Sequence, residues 1–209
     1  MYKRQDQELR NSVYTGKWLT DAKRYFSKRN CAAKGLSDKY IKADPNRQEL
    51  LEKALMGICG FQGIDNITEY MSMHKSDDDA DELWQYFQDV INWVQKIFPK
   101  YYNDMKGLDW CSLYNKYHNN TYNSSAMKTD VEKLHQDDEV QKRKGIYEYL
   151  LCKDKDPFAG RLLNLRAFDN RDKMATYDKQ HGLCNICGEH FEYDEMEGDH
   201  ICLLYTSPS

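Results

Sequence analysis

The chain has 209 residues, 40% of them hydrophobic and 13% aromatic, with a formal charge of −4. That is enough apolar material for one or two domains with a buried core, and no run approaches the roughly 18 apolar residues that cross a bilayer. The acidic balance argues against a general nucleic-acid coat protein, but it is compatible with a nuclease whose basic contacts are local. At the start, Met1-Tyr2-Lys3-Arg4-Gln5 reads as GTG-TAT-AAG-AGA-CAG, the reverse complement of the transposon mosaic end used to prepare sequencing libraries. At the other end, Cys202–Ser209 (CLLYTSPS) is what TGTCTCTTATACACATCTCCGAGC encodes, the same mosaic end followed by adaptor. Two complementary ends mark residues 1–5 and 202–209 as adaptor-derived, so fold reasoning is confined to Asp6–Ile201, expected to be an internal piece of a longer gene. Setting aside Lys3 and Arg4 takes the formal charge from −4 to −6.

In chain order, Lys17–Ser27 is predicted to be helical with Trp18, Leu19, Ala22 and Phe26 facing inward. Asp44-Pro45 is expected to open a second helix, with Leu50, Leu51, Ala54, Leu55 and Ile58 on one face and Gly60 near its end. Asp81–Phe98 places Leu83, Tyr86, Phe87, Val90, Ile91, Val94, Ile97 and Phe98 at three- and four-residue spacing before Pro99. The acids ahead of it, Asp77–Asp79 with Asp81 and Glu82, lack the glycine-hinged spacing of a calcium loop and read as a solvated helix N-terminus favoured by the dipole. His118–Ser125 (HNNTYNSS) is expected to be a loop, Val131–Val140 a shorter polar helix and Lys153–Gly160 (KDKDPFAG) a linker. Asn119-Asn120-Thr121 and Asn123-Ser124-Ser125 match the glycosylation sequon, which is without meaning in a cytosolic protein. The aromatic and methionine positions are expected to pack the core.

Seven cysteines are present. Cys31, Cys59, Cys111 and Cys152 stand singly and read as small buried apolar residues, while Cys184 and Cys187 form one C-x₂-C. This is not the dense framework of a secreted disulfide scaffold, so a reducing cytoplasm is expected. From Leu162 the texture changes: Leu163–Gln180 carries Arg166, Arg171, Lys173 and Lys179 and leads through His181-Gly182-Leu183 into Cys184. A helix running into a glycine turn would deliver the chain to a metal knuckle, and its basic residues either face a phosphate backbone or form a solvated face.

The segment that carries chemistry is Cys184–Ile201 (CNICGEHFEYDEMEGDHI). Two cysteines two residues apart can bind one zinc through a tight turn, helped by Gly188, but they supply two of four ligands, and a redox pair has the same spacing. Cys202 is adaptor-encoded on this reading and is rejected as a third ligand. His181 and His190 are further possible ligands, read more simply as exposed turn residues. Glu197-Gly198-Asp199-His200-Ile201 follows. An adjacent Asp-His closing a short strand sets a hard oxygen ligand beside an imidazole. Asp199 could hold Mg²⁺ or a similar cation while His200 takes a proton from the attacking water; the plainer alternative is an exposed polar turn. The spacing Cys184-x₂-Cys187-x₁₂-His200 also fits the opening of a C₂H₂ finger. Against that stand Glu197 at an apolar helix position and Asp194, Glu195 and Asp199 where a finger meets DNA.

C-x₂-C-G-x₂-F followed by E-x-D-H-I resembles the start of an HNH endonuclease, the ββα-metal fold. Leu163–Phe168 (LNLRAF) and Tyr177-x₂-Gln180-x₂-Leu183-Cys184 resemble the C-terminal nuclease of GmrSD-like restriction proteins. That family joins a ParB-like N-terminal domain, marked by a DGQQR motif, to an HNH domain. Gln7-Glu8-Leu9-Arg10-Asn11 is similar to the family's N-x-Q-E-L-R-N segment near the end of the ParB-like domain, and Tyr14-Thr15-Gly16-Lys17 to its continuation. The resemblance implies DNA as partner and substrate, restriction or defence as the setting, and nucleotide binding through a domain preceding Asp6. It implies that Cys184 and Cys187 are half of a structural zinc site, Asp199 a catalytic-metal ligand and His200 the general base. The second cysteine pair, the central Asn and the last metal ligand of the motif are not in the sequence, nor is DGQQR, so the chain itself is expected to be inactive.

The expected architecture is mainly α. Residues 6–16 would end the ParB-like domain, 17–160 form a helical connector, and 161–201 begin the HNH domain as two short strands with a zinc knuckle. The rival reading is a non-catalytic zinc-binding interaction module.

Overall fold

The computed structural model describes residues 16–165, 170–184 and 187–195. It divides the chain into two compact units, Met1–Leu165 and Arg166–Ser209. The mainly helical expectation holds: all regular structure among the described residues is helical, with isolated β-bridges the only extended pairing.

In the first unit, α1 (Lys17–Phe26) turns Trp18, Leu19, Ala22 and Phe26 inward, the four positions its spacing selects. The short α2 (Ala32–Ser37) follows, closed by the Ser37 hydroxyl donating to Ala33 O at 2.7 Å. The expected helix opening at Asp44-Pro45 is corrected at its start. Pro45–Arg47 is a separate 3₁₀ turn, capped by Asp44 accepting from Asn46 N, and Gln48 at φ 62° breaks the chain before α3 (Glu49–Gln62) begins. Gly60 lies near the end of α3, as expected, and Gly63, at φ 71°, ends it in the left-handed conformation that glycine adopts without strain. Next come α4 (Ile67–Met73), capped by Asn66 accepting from Glu69 N at 2.9 Å, and α5 (Asp81–Ile97), whose buried residues match the predicted stripe. Phe98 also lies buried, just past the helix end.

α6 (Trp110–Tyr117) is capped by Asp109. α7 (Ser124–Gln136) starts seven residues before the predicted Val131 and stops before Val140. The cause is Asn123, whose side chain accepts from both Ser125 N and Ala126 N; the second sequon is therefore a helix cap. After α8 (Gly145–Cys152) the expected linker is a packed return. Ala159–Leu163 forms a 3₁₀ turn against α8 with Ala159 and Leu163 wholly buried. Lys142 N then donates to Leu163 O, and Val140 bridges Leu165. The first compact unit runs to Leu165.

α5 is the spine of this unit, touching α1, α2, α3, α6 and α7. Aromatic pairs tie the layers together: Phe26 meets Phe87 edge-on at 5.1 Å, and Tyr147 meets Phe98 and Trp110 at 5.3 and 5.9 Å. The acids ahead of α5 do more than face solvent. Asp78 pairs with Lys17 at 2.7 Å and Asp77 with His74 at 2.7 Å, while Asp81 accepts from the Tyr25 hydroxyl at 3.1 Å. Asp21 of α1 accepts from Ala80 N at 3.1 Å, so a neighbouring helix satisfies one of the backbone donors at the start of α5.

In the second unit, α9 (Asn170–Gln180) ends in a tight reversal. His181 stands at φ 54° and Gly182 at φ 72°, and Gly182 N donates to Tyr177 O at 3.2 Å. Leu183 and His190 then form an antiparallel bridge, and Tyr193–Glu195 is a 3₁₀ turn. Among the described residues this bridge stands where two short strands are expected. The expected end of the ParB-like domain, the two adaptor-derived ends and residues 196–201 lie outside the described residues, Gly16 apart.

Candidate metal centre

Backbone hydrogen bonds on both sides of the cysteine pair tie Leu183–Cys184 to the residues after Cys187. Cys184 N donates to Glu189 O at 2.8 Å, and Gly188 N returns to Cys184 O at 2.8 Å. One step outward, Phe191 N donates to Gly182 O at 2.9 Å. Gly188 and Glu189 are thus tied back to Cys184. Gly188 takes φ 73°, a conformation that an L side chain enters only at a cost of order 1 kcal/mol or more. The sequence places its glycine directly after the second cysteine because the chain must reverse there.

Helix α9 supports the hairpin through one side chain in particular. The Tyr177 hydroxyl donates to Phe191 O at 3.1 Å, and the Tyr177 ring meets Tyr193 edge-on at 5.6 Å. Lys173 Nζ lies 4.7 Å from the Tyr193 ring centroid, so this lysine of the basic helix is partly engaged within the unit. Gly182 is needed for a second reason besides its φ: a Cβ there would come within 2.6 Å of His190 Nε2 and 3.0 Å of the Tyr177 hydroxyl. The motif positions Tyr177, Leu183 and Cys184 therefore have a shared physical task, which is to hold the turn in register.

Cys187 is exposed and Cys184 half-buried, as a turn opening toward solvent requires. The donor chemistry fits zinc as far as it goes: two soft sulfurs on one tight turn, of the four ligands a structural zinc takes. Among the described residues no group of three His, Cys, Asp or Glu side chains comes together that could hold a metal ion. His181 and His190 are both exposed. Asp199 and His200 lie outside the described residues.

The other four cysteines are a separate population. Cys31, Cys59, Cys111 and Cys152 are each at most 6% exposed and form no disulfide. Burial pushes the Cys59 thiol up to about 11 and the Cys111 thiol up to about 12, and it raises Cys152 as well. Thiols held in that protonated form are poor nucleophiles and poor metal ligands. No helix among the described residues is long and apolar enough to cross a membrane. Compared with protein-family profiles, curated proteins and solved structures, the chain matches none.

Proposed function

We infer that the chain is part of a metal-dependent DNA endonuclease of the HNH type, in a restriction or defence system of the GmrSD-like kind. The observation that carries the reading is the backbone pairing around the C-x₂-C-G segment, where Cys184 exchanges hydrogen bonds with Gly188 and Glu189 and Tyr177 buttresses Phe191 O. A cysteine pair in an arbitrary loop needs neither the left-handed glycine nor the buttress. Both are what a turn needs to present two thiolates to one zinc.

On this reading Cys184 and Cys187 are half of a structural zinc site that would anchor the segment carrying Asp199 and His200. Asp199 would hold a divalent cation such as Mg²⁺, which would supply charge to offset that developing on the phosphate and leaving oxygen. His200 removes the proton from the water that attacks phosphorus. The remaining zinc ligands, the central Asn and the last metal ligand then belong to the parent gene beyond Ile201, and the protein acts in the cytoplasm.

The test is the gene itself, followed by its product. Sequencing the locus past Ile201 should reveal a second C-x₂-C, or C-x₂-N/H, with an intervening Asn. The product extended to its natural end should cut duplex DNA in Mg²⁺. Asp199→Ala and His200→Ala should each lower the rate by about 10²–10⁴-fold, and the 209-residue chain should not cut. An extended product that binds zinc but leaves DNA intact favours the interaction module and overturns the nuclease reading.

A further inference from the structure

A groove of about 960 Å³ runs along α1 beside the Pro45–Gln48 turn. Its lining among the described residues carries no apolar side chain. One wall is a polar face of α1 and the residues just after it: Lys17, Thr20, Lys23, Arg24, Ser27 and Lys28. Asn46 and Gln48 stand in the lining from the turn. We propose that this groove grips the phosphodiester backbone of DNA, as a second contact in the first unit separate from the cysteine hairpin; the choice of DNA as the polyanion rests on the nuclease reading.

The charge arithmetic favours an anionic occupant. Four cations line the groove against two carboxylates, Asp21 and Asp78. Asp78 is held by Lys17 at 2.7 Å. Asp21 spends one oxygen on Arg24 at 2.7 Å and the other on Ala80 N at 3.1 Å. Lys23 and Lys28 are left with no carboxylate partner among the described residues. The chain as a whole is acidic, at −4, so the attraction has to be local.

The groove also has pre-set donors. The Arg24 guanidinium lies 4.6 Å over the Tyr25 ring, and that ring stacks on Trp84 at 5.0 Å with 3° between planes. A guanidinium held in this way has lost part of its rotamer freedom already and keeps unused N–H donors. From Lys17 to Arg24 is seven residues of helix, about 10 Å of rise, which is the rise of about three base-pair steps. Protein–protein interfaces carry an apolar core ringed by polar groups. Cations, hydroxyls and amides without one are the composition of a DNA interface.

The 209-residue chain is titrated against a short fluorescent duplex, with anisotropy read from about 50 to about 200 mM salt. Binding at low salt is expected. Lys23→Ala with Lys28→Ala should weaken it about tenfold at the lowest salt and reduce the slope of log K against log salt by about two, since about 0.9 is lost per phosphate contact. Lys96→Ala with Lys133→Ala makes the same charge change elsewhere in the unit and should leave affinity within about twofold of wild type if contact, not net charge, is decisive. Far-ultraviolet circular dichroism and urea midpoints establish that each variant is folded. The proposal is overturned if the chain does not bind at low salt, if the groove variant binds like wild type, or if the control pair weakens binding equally. It is also overturned, as to DNA, if a polyaspartate peptide binds as tightly through the same two lysines. Cleavage by the extended product is scored separately: cutting that survives a failed groove test leaves the nuclease reading standing, and groove binding without cutting does the reverse.

Discussion

At the scale of single residues the fold is most exposed where backbone approaches backbone. A Cβ on Gly145 would lie 1.7 Å from Leu162 O, a carbonyl fixed by the return of the Ala159–Leu163 turn. A Cβ on Gly35, in α2, meets nothing within 4 Å. Gly145→Ala should therefore destabilise the first unit by about 3 kcal/mol or more, whereas Gly35→Ala should stabilise it by about 0.5–1 kcal/mol; urea midpoints of the two variants check the opposite signs. The tasks of Gly182 and Gly188 were partly legible beforehand, because a glycine beside a cysteine pair has few other reasons to be there. The task of Gly145 was not, since Leu162 is distant in sequence and the segment between them looked like a linker. Composition signals flexibility in KDKDPFAG; it carries no sign that Ala159 and Leu163 will be buried against α8.

Elements were legible in proportion to the length of their apolar period. α1 and α5 follow their predicted stripes residue for residue, because three- and four-residue spacing over ten or more positions leaves one solution. α7 was placed too late because its start depends on a capping side chain, Asn123, and not on a hydrophobic position. α7 also carries a titratable group set between other elements. His135 stacks on Tyr102 at 4.5 Å, lies 3.4 Å from Asp104 Oδ2, and lies 3.4 Å from the Tyr147 hydroxyl of α8. Burial holds its pKa below the ordinary value; Asp104 works against that shift, and Arg143 and Lys100 add to it. The unfolded chain then takes the proton first. Stability from this site is complete above about pH 6.5 and is lost as pH falls through the lower folded value. The drop in urea midpoint from about pH 7.5 to about pH 5 should be smaller in His135→Gln than in wild type. Equal drops would show that His135 does not contribute.

At the scale of the molecule, every buried hydrophobic residue among those described belongs to the first unit, the last being Leu163. The second unit is held in its described part by turn hydrogen bonds and the Tyr177–Tyr193 contact. The texture of the sequence changes near Leu162, and the first compact unit ends at Leu165. The pairing that closes the first unit, Val140 with Leu165, was not readable in sequence, because a single bridge leaves no periodic trace. A chain stopped after Leu165 should keep the cooperative urea transition of the full chain, with a midpoint shift under about 0.5 kcal/mol. A larger loss would mean that the second unit contributes to the stability of the first.

The two classes of cysteine have a practical corollary. Cys187 is open to an alkylating reagent at once, while Cys31, Cys59, Cys111 and Cys152 meet it only when the helices around them part. The native molecule thus contains four internal clocks for its own opening. Cys31 lies just before α2, Cys59 in α3, Cys111 in α6 and Cys152 at the end of α8. The order in which their masses shift under a thiol reagent gives the order in which those parts of the bundle let go.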